Sequence, residues 1–142
     1  MENLFALISI LPLPFWGAML LFPRAGLTRR MVTSPWPFIV LGAVHALLLV
    51  AALATAAPAE LGLSAVAIRS ALGQRWGFLA LWSHILILDL FAGIWIFRDA
   101  GYWRVRPAPY LLATLFAGPL GLALYLYLRQ RHERHDPVRN LN

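Results

Sequence analysis

Residues 82–99 read Trp82-Ser83-His84-Ile85-Leu86-Ile87-Leu88-Asp89-Leu90-Phe91-Ala92-Gly93-Ile94-Trp95-Ile96-Phe97-Arg98-Asp99. Most of this run is apolar enough to lie in hydrocarbon. Yet Asp89 sits near its middle, with His84 five residues earlier. An Asp at mid-bilayer costs roughly 2.5–3.5 kcal/mol on insertion scales, so such residues are seldom kept without use. The pattern describes a membrane helix that carries a polar site at depth.

The rest of the chain agrees with that setting. Of 142 residues, 61% are hydrophobic and 13% charged, with mean hydropathy +0.70. Apolar sequence in such long runs is buried against lipid rather than in a water-excluding core. There is no cysteine, so disulfides, thiol chemistry and cysteine-bound metals are excluded. Net charge is +6 and all 12 basic residues are arginine. They flank the apolar runs, as membrane anchors do, and form no basic module of the kind that binds nucleic acid.

Taken in order, the chain predicts an all-α membrane protein, a four-transmembrane-helix bundle. Residues 3–22 form the first span, retained as a helix rather than cleaved, with Pro12 and Pro14 kinking it at mid-depth. A polar turn over 23–35 follows. The second span is 36–57, with His45 near its centre and small residues at 42, 43 and 46 for close helix approach. Residues 58–76 read as an interfacial amphipathic or re-entrant segment between spans 2 and 3. The third span is 77–97, and 98–108 is expected as a polar loop. The fourth span is 109–128, interrupted by Gly118-Pro119. Residues 1–128 then form one transmembrane domain, and 129–142 a charged, exposed tail.

Four spans would put Arg69, Arg75, Arg129, Arg131, Arg134 and Arg139 on one side. Arg24, Arg29, Arg30, Arg98, Arg104 and Arg106 fall on the other, six against six. The positive-inside count is silent on that arrangement. The first span by itself, with no basic residue before it and three after, favours an outside N-terminus.

If each span's centre marks mid-bilayer, His45, Asp89, the Pro12/Pro14 pair and Gly118-Pro119 fall within about a turn of one plane. Broken helices at membrane depth are tolerated where they are buried in protein or line a cavity, so a pocket is expected. Five positions at about 100° each set His84 and Asp89 roughly 140° apart on the helix. His45 is therefore the better expected partner of Asp89. Asp89 and the two histidines have a functional reading as proton-transfer groups and a structural one as polar pins between helices. Arg98 and Asp99 suit the interface. His132, Glu133, His135 and Asp136 have metal-ligand side chains but lie on the expected tail. Phosphate loops, nucleophile elbows and zinc-protease helices are lacking.

The third span, Trp82-x-His84-x-Leu86-x-x-Asp89-Leu90-Phe91-x-Gly93 with Asp99 beyond it, resembles the plant neoxanthin synthase family of the abscisic-acid-deficient type. Pro14-Phe15-Trp16, Met19, Pro23, Thr28, Ser34 and Ile39-Val40-Leu41-Gly42 are similar as well. So is Phe116-x-Gly118-Pro119-x-Gly121. Ile94 stands where that family carries an arginine, which removes a charge partner for Asp89. The Ala- and Arg-rich, lysine-free composition points to a bacterial relative in the cytoplasmic (inner) membrane, crossing it several times.

The resemblance implies action on a hydrophobic isoprenoid or carotenoid, an isomerase-like opening of an epoxide to an allenic alcohol. Such a step needs an acid for the epoxide oxygen and a base for a nearby C–H proton, and no cofactor or metal. The expected site holds Asp89, His84 and His45 as catalytic groups. Trp82, Phe91, Gly93, Pro14, Trp16, Gly118 and Pro119 are expected around the substrate. Expected partners are membrane lipid and the isoprenoid, with no nucleic acid. The competing readings are a non-catalytic binding or accessory protein, and a proton or solute pathway.

Overall fold

The structure is a computed structural model and describes residues 2–135. Its elements are α1 (Glu2–Ile10), α2 (Leu13–Leu21), α3 (Gly26–Thr33), α4 (Trp36–Thr55), a 3-10 turn (Pro58–Glu60), α5 (Ala65–Gly73), α6 (Arg75–Trp103), α7 (Ala108–Ala117) and α8 (Pro119–His135). No strand occurs among the described residues. Three helical stretches are long and apolar enough to cross a bilayer: Glu2–Leu21, Trp36–Thr55 and Arg75–Trp103. They mark a membrane protein.

The break between α1 and α2 falls at Leu11 and Pro12, where proline supplies no amide to continue the ladder. The second span matches its expected position. Residues 23–35, expected as a turn, instead contain α3, which buries Thr28 and Val32 and exposes Arg29 and Arg30. The Thr28 hydroxyl donates to the Phe22 carbonyl at 2.7 Å, which folds α3 back on the end of α2.

α6 also overruns its expected end. Residues 98–103, expected in a loop, continue the helix, which has 29 residues. No proline interrupts it before Pro107, and its end comes at Arg104, whose φ of 55° breaks the helical run. Between α4 and α6, Ser64 caps α5 by accepting from the Ala67 amide at 3.1 Å. Residues 129–135, expected in the tail, extend α8, and 136–142 lie outside the described residues.

The fourth expected span differs most. α7 ends at Gly118, with φ 46° and ψ −109°, and the chain reverses there. Tyr110 and Tyr125 meet with ring centroids 5.3 Å apart, where fifteen residues of continuous helix would separate them by roughly 22 Å. A Cβ on Gly121 would stand 2.2 Å from the Thr114 backbone nitrogen. The pairs 110/125 and 114/121 are symmetric about the turn, so α7 and α8 form an antiparallel hairpin.

The chain divides into two compact units. The first holds the segment up to Pro14 and Thr33–Leu88. Its core is Ile8, Leu48, Leu79 and Ala80, flanked by Phe5, Val44, Trp76, Trp82 and Leu86. Phe5 packs on both Phe78 and Trp82, and the Trp82 indole N–H donates to the Ser9 hydroxyl at 2.9 Å. Large apolar side chains on the outer faces, such as Leu47 and Val50, remain exposed, as lipid-facing residues do.

The second unit holds Phe15–Val32 and the chain from Asp89 onward. Trp16, 3% exposed, lies against Gly93. A Cβ on Gly93 would stand 2.5 Å from the indole, so glycine is what admits the ring. Ile94 is buried.

Candidate functional site

In the first unit, α4, α5 and the beginning of α6 line an open cavity of about 310 Å³. His45, Leu49, Ala52 and Leu53 line it from α4, and Gly77, Leu81 and His84 from α6. Glu60, Leu61 and Gln74 close the end nearer the connecting segment. The wall is apolar apart from the two histidines at one end and Glu60 and Gln74 at the other.

The histidines are brought together as the sequence allowed but did not require. Their ring centroids are 5.4 Å apart at an interplanar angle of 40°. The hydrogen bond of His45 goes to Ser83, Nδ1 to Oγ, at 3.0 Å. Ser83 in turn donates its single hydroxyl proton to the Ala80 carbonyl at 2.8 Å. A hydroxyl has one proton and two lone pairs, so Ser83 can only accept from His45. That fixes the neutral His45 ring with its proton on Nδ1 and a lone pair on Nε2. In that tautomer the Nε2 lone pair is left to accept a hydrogen bond. His84 is exposed beside it.

Glu60 anchors the far end. Its Oε2 accepts from the Ala57 amide at 2.9 Å, and Oε1 accepts from Ser70 at 2.9 Å and Gln74 at 3.0 Å. These bonds, the Ala57 amide first, hold its carboxyl below the ordinary glutamate range. The effect is to tie the 3-10 turn to α5 and the start of α6.

In the second unit, Asp89 stands against the turn of the α7–α8 hairpin. A Cβ on Gly118 would be 2.8 Å from Asp89 Oδ1. Positive φ and close approach thus both require glycine there. Asp99 accepts a 2.6 Å hydrogen bond from the Tyr125 hydroxyl and lies 3.4 Å from Arg129. Arg129 also stands over the rings of Trp95 and Trp103. Asp99, expected at the interface, is therefore an ion-paired helical residue that ties α8 to α6.

The other expected site residues fall in several places. Trp82 belongs to the aromatic cluster with Phe5 and Phe78 and does not line the cavity. Phe91, Pro14 and Pro119 are exposed, whereas Trp16, Gly93 and Gly118 are buried. Arg98 is exposed. Among the described residues no group of three His, Cys, Asp or Glu side chains is arranged to hold a metal ion.

Sequence reasoning missed Ser83, Glu60 and Gln74. Ser83 was visible as a hydroxyl beside His84 in an apolar span, where a polar group needs a partner on a neighbouring helix. Glu60 and Gln74 carried no such signal, because polar residues in a connecting segment are ordinary.

A family model described as ABA4-like, ABA DEFICIENT 4-like, matches residues 3–125. No curated protein and no solved structure matches the chain.

Proposed function

Because the chain belongs to the ABA DEFICIENT 4-like family, we propose that it binds a hydrophobic isoprenoid of the carotenoid class within a bacterial inner membrane and isomerises it by acid–base chemistry. The observation that carries this reading is the His45–His84 pair facing an apolar cavity, with His45 held as a base by Ser83.

A cavity of about 310 Å³ is at the small end of ligand pockets, which run from roughly 300 to 1,000 Å³. It suits the cyclic end group of a carotenoid, with the polyene chain left in lipid. In the proposed step a base removes a C–H proton next to the epoxide while an acid protonates the epoxide oxygen. The C–O bond breaks, an allene and an alcohol form, and no electrons are gained or lost overall. His45 Nε2 is the base. The acid is His84 in its protonated form.

The test uses the purified protein in liposomes with violaxanthin as the probe and chromatographic detection of product. General acid–base groups contribute typically 10²–10⁴-fold, so H45Q should lose turnover by about that factor while retaining pigment. H84A should behave likewise. Full turnover in H45Q would overturn the assignment. Pigment that copurifies unchanged with the native protein would favour a binding or accessory protein instead.

A further inference from the structure

Asp89 is the middle residue of α6, with fourteen residues on either side in a helix of 29. The turn of the α7–α8 hairpin lies against it. From that level α8 runs parallel to the second half of α6. Tyr125 lies beside Trp95 and Asp99, and one turn later Arg129 lies beside Asp99 and Trp103. Ten residues of α7 span about 15 Å, half of a hydrocarbon core of about 30 Å. The hairpin therefore descends to mid-membrane depth and returns to the end of α6 from which it came.

The turn is built for that position. Phe116 and Leu120 flank it and are 84% and 71% exposed, a surface suited to acyl chains and not to water. Its backbone remains paired, with the Gly118 amide donating to Thr114 at 2.7 Å and the Gly121 amide to Gly118 at 3.1 Å. Pairing of this kind is what non-spanning backbone at membrane depth requires.

We infer that the chain crosses the membrane three times, that residues 108–135 form a re-entrant hairpin, and that the face where this hairpin begins and ends is the cytoplasmic one, seated on anionic lipid. With three crossings, the ends of Glu2–Leu21 and Arg75–Trp103 that follow each span share one face, together with both ends of the hairpin. Arg24, Arg29, Arg30, Arg98, Arg104, Arg106, Arg129 and Arg131 belong to that face. Arg69 and Arg75 alone, among the arginines whose side chains are described, belong to the other. Short loops rich in arginine stay on the cytoplasmic side, and each such residue near the surface gains about 1 kcal/mol from anionic headgroups. For these ten arginines, the six-to-four split of a four-span chain becomes eight to two once the hairpin replaces the last span.

The cavity follows from the same assignment, whatever it binds. Its lining runs from His45, near the middle of α4, to Ala56 and Glu60 beyond the end of that helix. It therefore occupies the half of the membrane nearer the extracytoplasmic face.

The native chain has no cysteine, so single cysteines report position without background. Leu63, Arg106 and Gln130 are exposed in the structure. In the full-length protein expressed in a bacterial host, L63C should react with a membrane-impermeant maleimide on intact cells. R106C and Q130C should react only in inverted vesicles. A C-terminal reporter that fluoresces only in the cytoplasm should be bright, and a C-terminal phosphatase active only outside it should be silent. These fusions decide the matter for any cysteine that reacts from neither side. Labelling of R106C and Q130C from opposite sides would restore four spans and overturn the hairpin. Labelling of both from outside, or an active phosphatase fusion, would overturn the orientation.

Discussion

Substituting Gly121 by alanine separates the hairpin from a continuous helix by the sign of its effect. In a continuous span the change would replace a helix-interior glycine and stabilise by roughly 0.5–1 kcal/mol. In the hairpin the new methyl would stand 2.2 Å from the Thr114 nitrogen and 2.6 Å from the Ala113 carbonyl carbon. Ordinary contact begins at 3.4 Å, so the two backbones must separate by 3.4 − 2.2 = 1.2 Å. The Thr114 hydroxyl, at 2.3 Å, can rotate aside, but the nitrogen and the carbonyl carbon are backbone atoms, so no side-chain movement relieves the clash. The displacement also pulls on the Tyr110–Tyr125 contact and the 2.6 Å hydrogen bond from Tyr125 to Asp99. Overpacking costs about 1–3 kcal/mol, and a backbone clash belongs at the upper end, about 2–3. One or two kcal/mol already changes the folded-to-unfolded ratio by a factor of roughly 5–30. Reversible unfolding in mixed micelles reads it, with G17A as control, since a Cβ on Gly17 meets nothing within 4 Å. G17A should be neutral or slightly stabilising. If G121A matches it, the hairpin is wrong.

Three further outcomes follow from single contacts. S9A strands the Trp82 indole N–H in hydrocarbon and should destabilise by about 0.6 kcal/mol and at most about 1.7, the range for polar contacts between membrane helices, in the same micelle assay. Y125F removes the hydroxyl from Asp99 while Arg129 remains. A hydrogen bond to a charged group contributes about 1.5–3 kcal/mol, and the low end applies because Asp99 keeps its ion pair. Glu60 titrates lower in the folded protein than in the unfolded chain, so its contribution is full above the unfolded glutamate range and is lost as pH falls through the lower folded value. Proteolysis within residues 58–74 should therefore rise on acidification in the native protein, and E60Q should remove that pH dependence.

The apolar runs made three spans legible because a membrane helix needs only length and hydrophobicity, both of which are local. Pro12 announced the break between α1 and α2 for the same reason, since a missing amide acts within one turn. Asp89 and His45 were legible as conspicuous polar residues in apolar runs. Their partners were not. His45 pairs with Ser83, thirty-eight residues away, and Asp89 meets Gly118 across a turn whose direction depends on a single backbone angle. The over-extension of α6 was hidden by Arg98, Asp99 and Tyr102, which look like a loop until Tyr125 and Arg129 supply their helical neighbours.

Hydropathy measures how much apolar sequence there is and says nothing about where it turns. A twenty-residue span and a hairpin of two ten-residue arms expose the same composition to lipid, and either satisfies its backbone. What distinguishes them in residues 108–128 is small residues at symmetric positions. Gly121 admits the Thr114 backbone, and Gly118 supplies the reversed φ beside Asp89. In a straight helix both glycines would weaken the helical run. The acid follows the same logic. A carboxyl at the centre of α6 is costly against acyl chains, and the hairpin covers it with backbone where a straight fourth helix would offer a side chain. Asp89 and the Gly118 turn thus depend on each other: each would be a defect alone, and together they set a carboxyl against a glycine turn that leaves room for it.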